Sequence, residues 1–186
     1  MFELAMGESL TQLIVQLSLS CLVTAVIEET VFRGLLTTFF ARAFHGSQAL
    51  ICAAAASALV FGLLHVASDA IRNLHDGALL LQAALKFVQT GLFGFLMACL
   101  FLQARAKGHS LARALTFPIL IHWAFDMVYF APVYLGTGAF PDTYLTGAGA
   151  DMLLLLITSL LMLPLCALVA RRLSGVVLPC STKNDA

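Results

Sequence analysis

Five long apolar runs, separated by short polar punctuation, set the frame of this chain. They extend from about Leu10 to Phe44, from Gln48 to Val66, from Ala78 to Ala104, from Phe117-Pro118 to Pro132, and from Asp151 to Val169. Each is near or above the roughly 20 residues a helix needs to cross the hydrocarbon core of a bilayer. The first is too long for a simple span, so it is expected to be tilted or broken near Gly34. His45-Gly46-Ser47 reads as a turn, Ser68 to Gly77 as a polar loop, and Ala106 to Arg113 as a basic connector. Pro118 suits the first turn of a helix. A Gly/Pro/Thr-rich loop precedes the last run, and a polar tail follows it. Small residues at Ala53 to Ala56, Ser57 and Ala58, and at Gly91 and Gly94, predict close helix–helix approach. The pattern predicts an all-α, polytopic transmembrane bundle of about five spanning segments, as one domain over 1–186 and without repeats.

Composition agrees. Of 186 residues, 61% are hydrophobic and 11% charged, with a mean hydropathy of +0.96. Soluble domains carry about 25% charged residues, so a soluble globule is excluded. Net charge is zero, with no basic tract, which argues against a nucleic-acid partner. The N-terminus (Met1, Glu3, Glu8) lacks the basic region of a signal peptide, so the first run is expected to stay as a span. Cys21, Cys52, Cys99, Cys166 and Cys180 show no metal-ligand spacing and read as small packing residues. Arg42, Arg105, Lys107, Arg113, Arg171, Arg172 and Lys183 gather on one side, against Arg72 and Lys86 on the other. Positive-inside counting puts the basic side and the C-terminus in the cytoplasm and the N-terminus outside. The expected location is a prokaryotic plasma membrane.

Charge inside the apolar runs changes the picture. Ile27-Glu28-Glu29-Thr30-Val31-Phe32-Arg33-Gly34 places three charged residues mid-run. Lenient insertion scales put Asp, Lys or Arg at mid-membrane at roughly 2.5–3.5 kcal/mol each. Helix residues turn about 100° per step, so Glu29 and Arg33 share a face in the favourable order for an ion pair. Glu28 is rotated off that pair, with no basic residue one turn away. Phe61 and His65 are four apart in the second run, and His122 and Asp126 four apart in the fourth. Each has a structural reading: a capping His65, a His122–Asp126 pair satisfying itself, a Glu29–Arg33 brace. Together they exceed what stability alone asks of a bundle.

Two chemistries fit. In one, Glu28, helped by His65, takes a proton from water that attacks a carbonyl, and His122 stabilises the oxyanion. In the other, the Glu and His side chains hold a metal, zinc for example, that activates the water. No HExxH motif is present, which favours the metal-free reading. A non-catalytic scaffold or immunity protein would keep the same bundle without needing Glu28 as a base. An ion pathway lined by these residues is a third reading, but the absence of a repeat speaks against a transporter.

The motifs EExxxR (Glu28, Glu29, Arg33), FxxxH (Phe61, His65) and HxxxD (His122, Asp126), in this order, resemble those of the CPBP family. That family includes the CAAX-processing type II prenyl endopeptidases and the bacteriocin-processing or Abi proteins. Phe32-Arg33-Gly34, Phe61-Gly62-Leu63-Leu64-His65 and Gly91-Leu92-Phe93-Gly94 look similar too, so the resemblance spans about Val26 to Tyr129. It implies an intramembrane endopeptidase with a polar cavity opening within the bilayer. Glu28 and His65 would activate water, Glu29 and Arg33 would hold the site together with Phe61 beside them, and His122 with Asp126 would stabilise the oxyanion. The last position is often Asn in the family. An ionised Asp only accepts hydrogen bonds, so Asp126 is expected to orient His122. No cofactor is expected. The implied substrate is a membrane protein or a lipidated or hydrophobic peptide.

Overall fold

A computed structural model describes residues 9–72, 75–141 and 145–175; Glu3, Glu8, Cys180 and Lys183, and the expectations placed on them, lie outside these. The described residues are helical, without a strand. They form α1 (Leu10–Glu29), a π-helical segment (Thr30–Thr37), α2 (Thr38–Ala43), α3 (Ala49–Arg72), α4 (Gly77–Ala106), α5 (Leu111–Thr137) and α6 (Gly149–Ser174). The first three run on as one rod, giving five helices long and apolar enough to cross a membrane.

The first run is not broken at Gly34. It is underwound into a π segment, which leaves each carbonyl one residue further from its donor. Polar side chains answer those carbonyls. Thr37 Oγ1 donates to Phe32 O at 2.7 Å and Thr38 Oγ1 to Arg33 O at 3.3 Å. Ser57 Oγ, from α3, also donates to Phe32 O at 3.1 Å.

Two boundaries differ from the expected ones. Residues 68–72 continue α3, and the break comes just before α4, where Asp76 caps the helix by accepting from Ala78 N and Leu79 N. The α5 helix starts at Leu111 because Ser110 accepts from Arg113 N at 3.3 Å. Pro118 and Pro132 therefore lie inside it. Spanning helices tolerate such prolines when neighbours re-satisfy the backbone.

The bundle is polar within and apolar without. Glu29, Arg33, Thr37, Ser57, Gln82 and Gln89 are buried, while leucines such as Leu153, Leu154, Leu160 and Leu161 of α6 face outward. The α4 helix is central, packing on α3, α5, α6 and the π segment, and α1 pairs with α5. Among the described residues α5 and α6 do not meet, so a cleft floored by α4 opens between them. Close approach of α3 and α4 depends on Gly62 and Gly94. A Cβ on Gly62 would lie 3.1 Å from Phe87 O, and one on Gly94 would lie 3.0 Å from Phe61 Cδ1. Gly91, expected to play the same part, has nothing within 4 Å of such an atom. Cys21, Cys99 and Cys166 are buried packing residues, but Cys52 is exposed on the outer face.

Candidate active site

Glu28 and Glu29 are neighbours in sequence but face different surroundings. Glu29 is fully buried, with Oε2 3.0 Å from Arg33 Nε. That contact lies off the hydrogen-bond direction, leaving Arg33 Nε and Nη1 without an aligned acceptor among the described residues. Aromatic faces supply the remaining stabilisation of the guanidinium, whose Cζ is 4.6 Å from the centroid of Phe61 and 5.9 Å from that of Phe32. Arg33 Nη2 also donates to Gly94 O at 3.3 Å, tying α4 to the first rod. Glu28 keeps 26% of its side chain exposed and lines a cavity of about 70 Å³.

Two imidazoles converge on Glu28. His65 Nε2 lies 3.5 Å and His122 Nε2 3.7 Å from Glu28 Oε2. Both are longer than a direct N–H···O hydrogen bond. That oxygen is buried and has no aligned hydrogen-bond partner among the described residues. The opposite ring nitrogens are committed. His65 Nδ1 meets Phe61 O at 2.8 Å, and His122 Nδ1 meets Glu29 Oε1 at 2.8 Å. A carbonyl, or a carboxylate paired with arginine, only accepts, so both Nδ1 atoms carry hydrogens and both Nε2 atoms face the chamber.

Asp126, expected to orient His122, stands beside that ring. A second carboxylate, that of Glu29, 93 residues away in sequence, meets the ring at Nδ1. Asp126 Oδ2 sits 3.5 Å from the other nitrogen, Nε2, and lines the cavity itself. The imidazole of His122 thus has carboxylate oxygens of Glu28, Glu29 and Asp126 around it. Phe61 supports the assembly by touching three of its members: Arg33, His65 (centroids 4.1 Å apart) and His122 (6.2 Å). Phe93 closes the other side of His122 at 5.2 Å.

The contribution of α4 escapes a reading of the sequence. Lys86, which charge counting sets on the far rim, is 6% exposed and lines the same cavity as Glu28, His65 and Asp126. Gln82, Lys86 and Gln89 follow a four, three spacing within an apolar run, with Phe93 four residues further on the same face. That spacing is a polar stripe on one helix face, and it was the available signal. Among the described residues no three His, Cys, Asp or Glu side chains form a group suited to holding a metal ion.

Comparison with curated proteins and with solved structures returned no match. A family model described as Type II CAAX prenyl endopeptidase Rce1-like matches residues 10–128, a stretch that holds every motif residue placed above. More than half of the chain lies within that match, and it therefore belongs to the Type II CAAX prenyl endopeptidase Rce1-like family of intramembrane endopeptidases.

Proposed function

We propose that the chain hydrolyses a peptide bond of a membrane-associated protein or of a lipidated or hydrophobic peptide, with Glu28 as the general base. One observation carries this: two Nε2 atoms converge on a single carboxylate oxygen that has no aligned hydrogen-bond partner among the described residues, beside a chamber of about 70 Å³ that has room for water. Water in the chamber beside Glu28 and His65 gives a proton to Glu28 as its oxygen attacks the carbonyl carbon. Glu28 later returns that proton to the leaving amine. His122 donates to the oxyanion from Nε2. Its Nδ1 hydrogen is already given to Glu29, so it does this as the imidazolium, the charged form that the three carboxylates around it suit. Glu29 and Arg33 hold that ring at the correct angle. Asp126 shares His122 Nε2 with Glu28 and shapes the charge of the chamber. The reaction uses no metal in this scheme.

The basic residues at the ends of α2, α4 and α6 and at the start of α5 share one face of the bundle, as the order and short connections of the spans require. We place that face in the cytoplasm of a prokaryotic cell. A second cavity, of about 430 Å³, runs from Ser68, Asp69 and Arg72 at the end of α3 down to Glu28 and His65. It provides a water route to the base from the opposite face.

The test compares the new C-termini of membrane proteins in cells carrying the parent or Glu28→Gln protein. Products present with the parent and absent with Glu28→Gln, at equal protein levels, are the expected result. Identical product sets would remove Glu28 from the role of base, and complementation by Glu28→Gln would indicate a non-catalytic scaffold.

A further inference from the structure

The basic end of the bundle holds a groove that the catalytic reading leaves unused. It lies where α4 ends and α5 begins, with a volume of about 290 Å³. Lys107 from the C-cap of α4, His109 from the connector and Arg113 from the first turn of α5 line its outer part. Leu100 and the exposed ring of Phe117 line its inner part, on the same two helices. Leu100 precedes Lys107 by seven residues, so the apolar wall reaches about 10 Å further into the membrane.

The connector that presents the cations is held in shape. Lys107 N donates to Gln103 O at 3.2 Å, Gly108 N to Arg105 O at 3.0 Å, and His109 N to Ala104 O at 3.2 Å. Gly108 takes a φ of +81°, which glycine adopts without strain. Arg105 Nη1 donates to His109 O at 2.7 Å, so a further cation braces the loop. The backbone beneath the three side chains is therefore fixed.

Among the described residues no acid answers these cations. The groove has no carboxylate in its lining. The described acids belong to the catalytic site (Glu28, Glu29, Asp126) or stand at the opposite ends of the helices (Asp69, Asp76, Asp151). Orientation in the membrane accounts for basic residues at this face, but not for their gathering around an amphiphilic groove. Arg42, Arg171 and Arg172 serve orientation equally and lie outside it. We propose that the groove binds an anionic phospholipid, whose phosphate meets Lys107, His109 and Arg113 and whose acyl chain lies along Leu100 and Phe117. The lipid spans the joint between α4 and α5, and so steadies the helix that carries His122 and Asp126.

The test mixes the purified chain, in a mild detergent, with phosphatidylglycerol or phosphatidylcholine of identical acyl chains. Native mass spectrometry counts the lipid retained. One phosphatidylglycerol per chain is expected, at a concentration about twentyfold or more below that needed for phosphatidylcholine, which is about fivefold for each of Lys107 and Arg113. Lys107→Gln with Arg113→Gln should level the two lipids, and each single substitution should remove about fivefold. Arg171→Gln with Arg172→Gln takes the same charge from the same face and should leave the preference intact. The bound lipid should also raise the denaturant midpoint reported by Trp123 of α5. Equal retention of both lipids by the parent, a preference that survives the Lys107 and Arg113 substitutions, or equal loss in the Arg171 and Arg172 variant would overturn the proposal. So would an unmoved midpoint, or displacement of the lipid by an equal concentration of glycerophosphoglycerol, which would make the ligand a soluble phosphate. Should the double variant not fold, the two single variants decide.

Discussion

Replacing Glu29 with glutamine, beside the same change at Glu28, separates the brace from the base. Glu29 is fully buried and makes two close contacts, to Arg33 Nε at 3.0 Å and to His122 Nδ1 at 2.8 Å. A glutamine of similar size keeps an oxygen for His122, so that bond is weakened more than lost. The guanidinium, fully buried, loses its nearest counter-charge. Breaking a buried pair from one side costs about 3–5 kcal/mol. Glu28→Gln removes a charge from a side chain that is 26% exposed and stands 3.5 Å and 3.7 Å from its histidines. Contacts of that kind are worth about 0–1 kcal/mol. Adjacent, chemically identical substitutions should therefore differ by at least about 2 kcal/mol in stability. The assay is denaturant unfolding in bicelles, followed by the single tryptophan. Trp123 Nε1 donates to Ser18 O at 3.1 Å and so reports separation of α5 from α1. Glu28→Gln should unfold near the parent yet cleave nothing, and adding Arg33→Met to Glu29→Gln should recover part of the lost stability. A Glu29→Gln protein as stable as the parent, or a Glu28→Gln protein as unstable as Glu29→Gln, would refute the assignment.

Glycine substitutions test the α3–α4 contact. Gly94→Ala puts a methyl 3.0 Å from Phe61 Cδ1 and 3.4 Å from Ala58 Cα; overpacking outweighs the gain in helix propensity, for a net loss of about 1–2 kcal/mol in the same unfolding assay. Gly91→Ala, with nothing within 4 Å, should be neutral or slightly stabilising. His122→Ala should lower kcat about 10²–10³-fold with a smaller change in KM, as removal of an oxyanion donor does; an unchanged kcat in steady-state kinetics would take the oxyanion role from it. Purified protein stripped with a strong zinc chelator should keep its cleavage rate, and loss that zinc restores would replace the glutamate mechanism with a metal one.

Much of this protein was legible along the chain because the relevant physics is local. Apolar runs of spanning length have one stable solution in a bilayer, so the five spanning helices follow from hydropathy alone. The Glu29–Arg33 pair follows from helical phase, since residues four apart share a face whatever surrounds them. Boundaries were less legible at α5, where the Ser110 cap sets the start and Pro118 is carried inside the helix.

Tertiary packing decided what phase leaves open, namely which helix each face meets. Glu29 reaches His122 only because α1 pairs with α5, so the acid read as a brace also holds the imidazole. Lys86 reads as a rim charge by count, but the central place of α4 turns it into the chamber. Cys52 and Gly91 look like packing residues in sequence and face space in the fold. Spacing within one helix fixes the angle between its side chains, whereas the direction in which that angle points is set by neighbours distant in sequence.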